Sequence, residues 1–383
     1  MSTAAQVTHA ERLAHARRVV VKIGSALFVD QQTGAMNRGW LEGICADVAE
    51  LRRAGKDVVI VSSGAVALGR RELKLPRRLR LEESQAAAAA GQILLAHAYQ
   101  EILRSFDITA AQVLLTLDDS ERRERYINAS KTLRTLLTLG AVPVINENDT
   151  VATQELRYGD NDRLAARVAQ MVSAECLVLL SDVDGLYTAD PRLDAGARYV
   201  NEVTEITPEI LAMAGGPGSA HGSGGMHTKL EAARIAVGAG CRMCIATGRV
   251  DRPLRVLLAG GKATWFLPSA TPGAARKQWI AGTLKPRGTL RVDAGAERAL
   301  AAGRSLLPAG VTAVEGPFGR GDAVSVVDPD GREIGRGLTA YPAEEAALIA
   351  GRRSADIQAI LGYSDGDEII HRDDLVLKAS KPA

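Results

Sequence analysis

Two lysines beside glycine are the residues best placed to do chemistry in this chain. Lys22 ends the apolar run VVVKIGS just before a Gly-Ser turn, and Lys229 closes HGSGGMHTK, residues 221–229, where a helical pattern begins. Glycine lets backbone N–H groups approach phosphate oxygens closely, and a lysine adds a mobile positive charge. The glycine run fits neither common phosphate motif. A Walker loop needs glycine immediately before its lysine, where Thr228 stands, and a dinucleotide fingerprint needs glycine where His227 stands. Singly, each lysine has an ordinary reading, as a strand-end side chain reaching solvent or as part of a surface loop. Together, at two predicted strand-to-helix junctions, they suit phosphoryl transfer. Its transition state spreads negative charge over oxygens, so catalysis is mostly positioning and neutralisation.

Acids and amides point to a second ligand. Asn146, Glu147, Asn148 and Asp149 form NEND, and Gly159, Asp160, Asn161 and Asp162 form GDND shortly after. Carboxylates grouped this way coordinate magnesium, hold a substrate ammonium or cap helices, and Asp160 suits a cap before the pattern starting at Leu164. The amides between them suit a carboxylate or polar head group.

The elements that must position these residues alternate. Apolar, β-branched runs at 19–23, 58–61, 113–115, 142–145, 176–180 and 241–246 are separated by helix-like segments at 40–53, 82–104, 120–139 and 226–239. This alternation predicts a parallel sheet covered on both faces. Five runs end in small or polar residues: Gly24-Ser25, Ser62-Ser63-Gly64, the NEND tetrad, Ser181-Asp182 and Thr247-Gly248. Ligands of open α/β sheets bind beyond the carboxyl ends of the strands, so these tips should converge on one site. Near residues 268–286, with prolines at 268, 272 and 286, the alternation gives way to short β-like pieces at 288–292, 323–328 and 333–338, with DPDG as a turn signal. The Ala-rich run 86–90 fits a buried helix.

At 383 residues the chain suits two domains, and its formal net charge of +2 gives no reason to expect a polyanion as main partner. No apolar stretch is long enough to cross a bilayer, and the first eighteen residues lack the apolar centre of a secretory signal, so a cytoplasmic location is expected. Cys45, Cys176, Cys241 and Cys244 sit in apolar runs. They read as buried thiols, with no metal site assigned to the Cys241/Cys244 pair.

In order and spacing, VVVKIGS, VIVSSGA, VPVINEND, GDND, SDVDGLYTADP and GSGGMHTK resemble the amino acid kinase family, in its glutamate-phosphorylating branch, and the region from about Pro286 looks like an appended PUA domain. The resemblance implies a three-layer αβα sandwich around a mainly parallel sheet over residues 1–270, a small mainly β PUA-like domain over 286–366 and a C-terminal tail at 367–383. It implies transfer of the ATP γ-phosphate to the γ-carboxylate of L-glutamate, the first step toward proline, with Mg²⁺ carried by the nucleotide. Carried over by motif, Lys22, Lys229 and Asp162 are the catalytic residues, Asp162 organising the two lysines. Lys22, Ser181, Asp182, Ser223, Gly224, Gly225, Met226, His227, Thr228 and Lys229 match ATP-binding positions. Ser63, Asp149, Asn161 and Asn146 match glutamate contacts, with Asp149 pairing the α-ammonium. Ser181 and Ser223 stand where threonine is common, and each keeps the hydroxyl.

Other acceptors are open within the family: acetylglutamate, aspartate, carbamate or a nucleoside monophosphate. A phosphate acceptor would call for basic side chains where NEND stands. An RNA-binding role for the PUA-like region meets poor electrostatics, since residues 287–383 carry 12 Lys and Arg against 15 Asp and Glu, a balance of −3. The loop from Thr150 to Asp160 is the expected location for feedback inhibition by proline, and family members are usually homodimers or tetramers.

Overall fold

The computed structural model describes residues 9–30, 32–151, 161–214, 225–283, 285–364 and 366–378, in two compact units divided between Pro272 and Gly273. The described strands of the first unit are β1 (Arg18–Ile23), β2 (Asp57–Ser62), β3 (Ala110–Leu115), β4 (Val142–Glu147), β5 (Cys176–Ser181), a small hairpin of β6 (Leu186–Tyr187) with β7 (Tyr199–Val200), β8 (Glu202–Val203), β9 (Arg242–Thr247) and β10 (Ala263–Phe266). All but the hairpin form one sheet in the order β3-β4-β2-β1-β5-β9-β10-β8. Pairing is parallel from β3 through to β9, and β10 turns antiparallel to β9. All six apolar runs are strands. Sheet order departs in both directions from β1, toward β2 on one side and β5 on the other, so a crevice opens at the carboxyl ends of β1 and β5.

Helices cover both faces, which is why the strands read as nearly unbroken apolar runs. Val19, Val21 and Ile23 pack into one core with helices Arg38–Arg53 and Leu81–Arg104. Val20 packs into the other, with helices Asn161–Met171 and Met226–Gly238. Strand side chains alternate, so Lys22 shares the face of Val20 and points toward the two helices that carry Asp162 and Lys229.

On the first face, helices Ala65–Glu72 and Leu81–Arg104 touch backbone to backbone. A Cβ on Gly69 would lie 1.7 Å from the Ala87 carbonyl oxygen, and one on Gly91 would lie 1.8 Å from that of Ala65. The helix expected over 120–139 is two, Leu117–Glu121 and Arg123–Thr138. Thr116 and Asp119 form a reciprocal capping box, and Arg122 is extended, with ψ 117°.

The second unit holds β11 (Gly288–Val292), β12 (Val311–Glu315), β13 (Ala323–Val327), β14 (Glu333–Leu338) and β15 (Leu375–Leu377), in the order β12-β11-β13-β14-β15. The DPDG turn links β13 to β14, with Gly331 at φ +83°. The ends of this unit reach beyond the region 286–366. The compact unit begins at Gly273, within helix Pro272–Thr283, so it takes in a helix ahead of the PUA-like region expected from 286. The segment expected as a tail from 367 is built into the fold: Ile369 and Ile370 are fully buried and β15 pairs antiparallel with β14. Among the described residues no helix is long and apolar enough to cross a membrane.

Candidate active site

Strand register brings the polar tips level. Ile23 lies opposite Ser62 and Leu180, Ile145 opposite Val61, and Ser181 opposite Thr247. The chain just past each strand is tied to its neighbour, since Ser63 N–H donates to Ile23 O (3.2 Å) and Gly248 N–H to Ser181 O (2.7 Å). These tips form one continuous rim, as the sequence pattern predicts.

At its centre Asp162 bridges the two lysines. Its carboxylate lies 2.5 Å from Lys22 Nζ and 3.1 Å from Lys229 Nζ, and also accepts from the Thr228 hydroxyl at 3.0 Å. All three charged groups are buried, with relative exposures of 6% for Lys22, 5% for Lys229 and 1% for Asp162. Burial alone would raise the Asp162 carboxyl. The two ammonium groups outweigh it and bring the carboxyl down to about 2, so it is ionised at neutral pH. Among the described residues these two cations share one anion at the β1/β5 crevice. Lys229 stands in the first turn of helix Met226–Gly238, whose free N–H groups and dipole add to the attraction for anions.

Ser181 and Asp182 stand at the tip of β5, the Ser181 hydroxyl donating to the Asp182 carboxylate at 3.1 Å. Gly225 caps the Lys229 helix, Met226 is half-buried and His227 is exposed in its first turn. Thr228, expected at the nucleotide, turns its hydroxyl inward to Asp162 and to Gly225 O (2.9 Å). Ser223 and Gly224 lie outside the described residues, as do Asp160 and residues 152–159 of the loop considered for proline.

A second cluster forms where β2, β4 and the GDND helix meet. Asn161 Nδ2 reaches Ser62 O (2.9 Å), Ser63 Oγ (2.8 Å) and Asn146 Oδ1 (2.9 Å). Three of the four sequence-predicted acceptor-site residues are therefore in direct contact. The fourth, Asp149, follows β4 and lines a cavity of about 230 Å³ with Gln92. Burial pushes its carboxyl up to about 6. A bound cation would reverse this shift, because an opposite charge favours the ionised form. Gln92 belongs to the cluster and was not anticipated: its Oε1 accepts from Asn146 Nδ2 at 2.7 Å. A glutamine inside the alanine-rich helical run, where small apolar residues mark a buried face, was the available signal.

This arrangement has two buried lysines around one carboxylate beside one rim segment and an amide-and-carboxylate pocket beside the next. It can hold a polyanion against a small zwitterion, with the lysines where negative charge would meet. Residues 17–247 match the amino acid kinase family and residues 288–361 match the PUA domain. The chain belongs to the amino acid kinase family. Among similar proteins, the glutamate 5-kinase of Paramagnetospirillum magneticum is 64% identical over 96% of this chain and 99% of its own. That of Rhodospirillum rubrum is 62% identical over 94% and 96%, and that of Rhizobium rhizogenes 60% identical over 95% and 94%.

Proposed function

We infer that this chain uses ATP to phosphorylate the γ-carboxylate of L-glutamate, giving γ-glutamyl phosphate and opening the route to proline. The observation that carries the reading is the buried Lys22–Asp162–Lys229 bridge at the β1/β5 crevice. A free side-chain carboxylate ionises near pH 4.3, so the nucleophile needs no general base at neutral pH. What the protein must supply is relief of repulsion between two anions. Lys22 and Lys229 do this, held apart and oriented by Asp162. Ser181, Asp182 and the segment from Ser223 to Lys229 hold the nucleotide. Magnesium arrives on its phosphates, which suits a small, strongly hydrated ion needing few protein ligands. Ser63, Asn146, Asn161 and Asp149 hold glutamate, Asp149 ionising as it meets the α-ammonium.

The test is an ADP-release assay with a panel of acceptors: L-glutamate, N-acetylglutamate, aspartate, carbamate and a nucleoside monophosphate. Turnover confined to L-glutamate is expected. Preference for any other acceptor would overturn the reading, and repeating the assay with proline tests feedback inhibition. Four buried, unpaired cysteines are in keeping with a reducing, cytoplasmic location. We take the protein to be a homo-oligomer, with the PUA unit in a structural or regulatory role rather than as an RNA grip.

A further inference from the structure

The amide network beside Asp149 has a fixed polarity. Asn146 Oδ1 accepts from the backbone N–H of Glu147 at 2.9 Å, so Asn146 must turn its Nδ2 toward Gln92. At the other end Asn161 Nδ2 faces the backbone carbonyl of Ser62. These main-chain anchors decide each flip, because a carbonyl only accepts and an N–H only donates. Two atoms are then left over. Among the described residues Asn161 Oδ1 is a buried acceptor with no donor, and Gln92 Nε2 is a buried donor with no acceptor. Gln92 is only 8% exposed, and buried polar groups of this kind are nearly always matched.

Gln92 is beside Asp149, and Asn161 joins the same network through Asn146. Gln92 and Asp149 line the same cavity with Glu147 and the uncharged Gln112, Asn148 and Thr150, and no lysine or arginine is among its lining residues. An α-amino acid presents a cation and an anion on one carbon. Asp149 and Asn161 Oδ1 offer what the ammonium wants, and the anion is left to neutral donors.

We propose that Gln92 reads the α-carboxylate of the substrate, its Nε2 donating to a carboxylate oxygen, and so sets the preference for an α-amino acid over a plain amine. This rests on glutamate being the acceptor. Gln92 is a substrate contact remote from the transferred phosphate, so it should govern acceptor binding and leave the phosphoryl step alone.

The test compares L-glutamate with 4-aminobutyrate, which keeps the ammonium and the distal carboxylate but lacks the α-carboxylate. Gln92→Glu keeps the oxygen that Asn146 needs and replaces the donor with a carboxylate. Gln92→Met, which removes both, serves if Gln92→Glu does not fold. The KM for L-glutamate should rise roughly 10- to 100-fold, the loss of one charge-assisted hydrogen bond, with kcat within threefold. The inhibition constant of 4-aminobutyrate should move less than threefold. Equal weakening of both ligands would make Gln92 a mere prop for Asn146 and overturn the proposal, as would an unchanged KM for glutamate. A wild-type protein that ignored glutamate would instead sink the functional reading itself.

Discussion

Replacing Asp162 by asparagine probes the centre of the site with almost no change of shape. The carboxylate faces Lys22 at 2.5 Å and Lys229 at 3.1 Å, all three groups being at least 94% buried. Two energies bear on the outcome. The drop of the carboxyl from its ordinary 3.8 to about 2 corresponds to about 2 kcal/mol of folded-state preference for the ionised form. That is what protonation alone would cost. A depressed carboxyl contributes its stability in full above pH 4 and loses it as pH falls toward 2. Asparagine goes further, because its amide N–H groups oppose two buried ammonium groups that have lost the carboxylate between them. Removing one partner of a buried pair costs about 3 to 5 kcal/mol. The melting temperature of the kinase unit should fall by roughly 10 °C. ATP should recover much of this, since its phosphates replace the missing anion and stabilise by mass action. Calorimetry with and without nucleotide reads both effects. A variant within 1 kcal/mol of wild type, or one that ATP stabilises no more than wild type, would refute the idea that Asp162 balances the two lysines.

Other outcomes follow from the same site and its supports. Lys229→Ala should lower kcat by about one to two decades in steady-state assays, through loss of a contact that strengthens in the transition state; near-normal turnover would remove Lys229 from the chemistry. The KM for glutamate should climb as pH falls below about 6, approaching tenfold per unit, because Asp149 must ionise to hold an ammonium; a flat profile between pH 7.5 and 5 would exclude it. Gly91→Ala should cost 3 kcal/mol or more in urea unfolding, since its Cβ would overlap the Ala65 carbonyl and no side-chain rotation can relieve backbone. Burial pushes the Cys45 and Cys176 thiols up to about 12 and those of Cys241 and Cys244 well above normal, so thiol reagents should label the protein only after it unfolds.

Most of the frame was legible because it repeats. Six apolar runs, five of them ending in small or polar tips, announced six parallel strands and one rim, and the period-two alternation through Val20 determined which face Lys22 would take. The rest depended on pairings far apart in the chain. Gln92 meets Asn146 across 54 residues, and nothing near either one signals the contact. Strand β10 adds antiparallel to β9, a sense that local sequence does not encode. The break at Arg122 hides inside a continuous helical pattern, because the Thr116 cap acts through hydrogen bonds rather than hydrophobicity. In the second unit β15 spans only three residues and takes its structure from β14.

The crossing at Gly69 and Gly91 has a mechanical consequence. One of the two helices runs on from Ser63 and the other carries Gln92, so backbone contact welds opposite walls of the acceptor pocket into one stiff part. Neither wall can swing independently to admit or release a ligand. The contacts that these two helices offer are set before a ligand arrives.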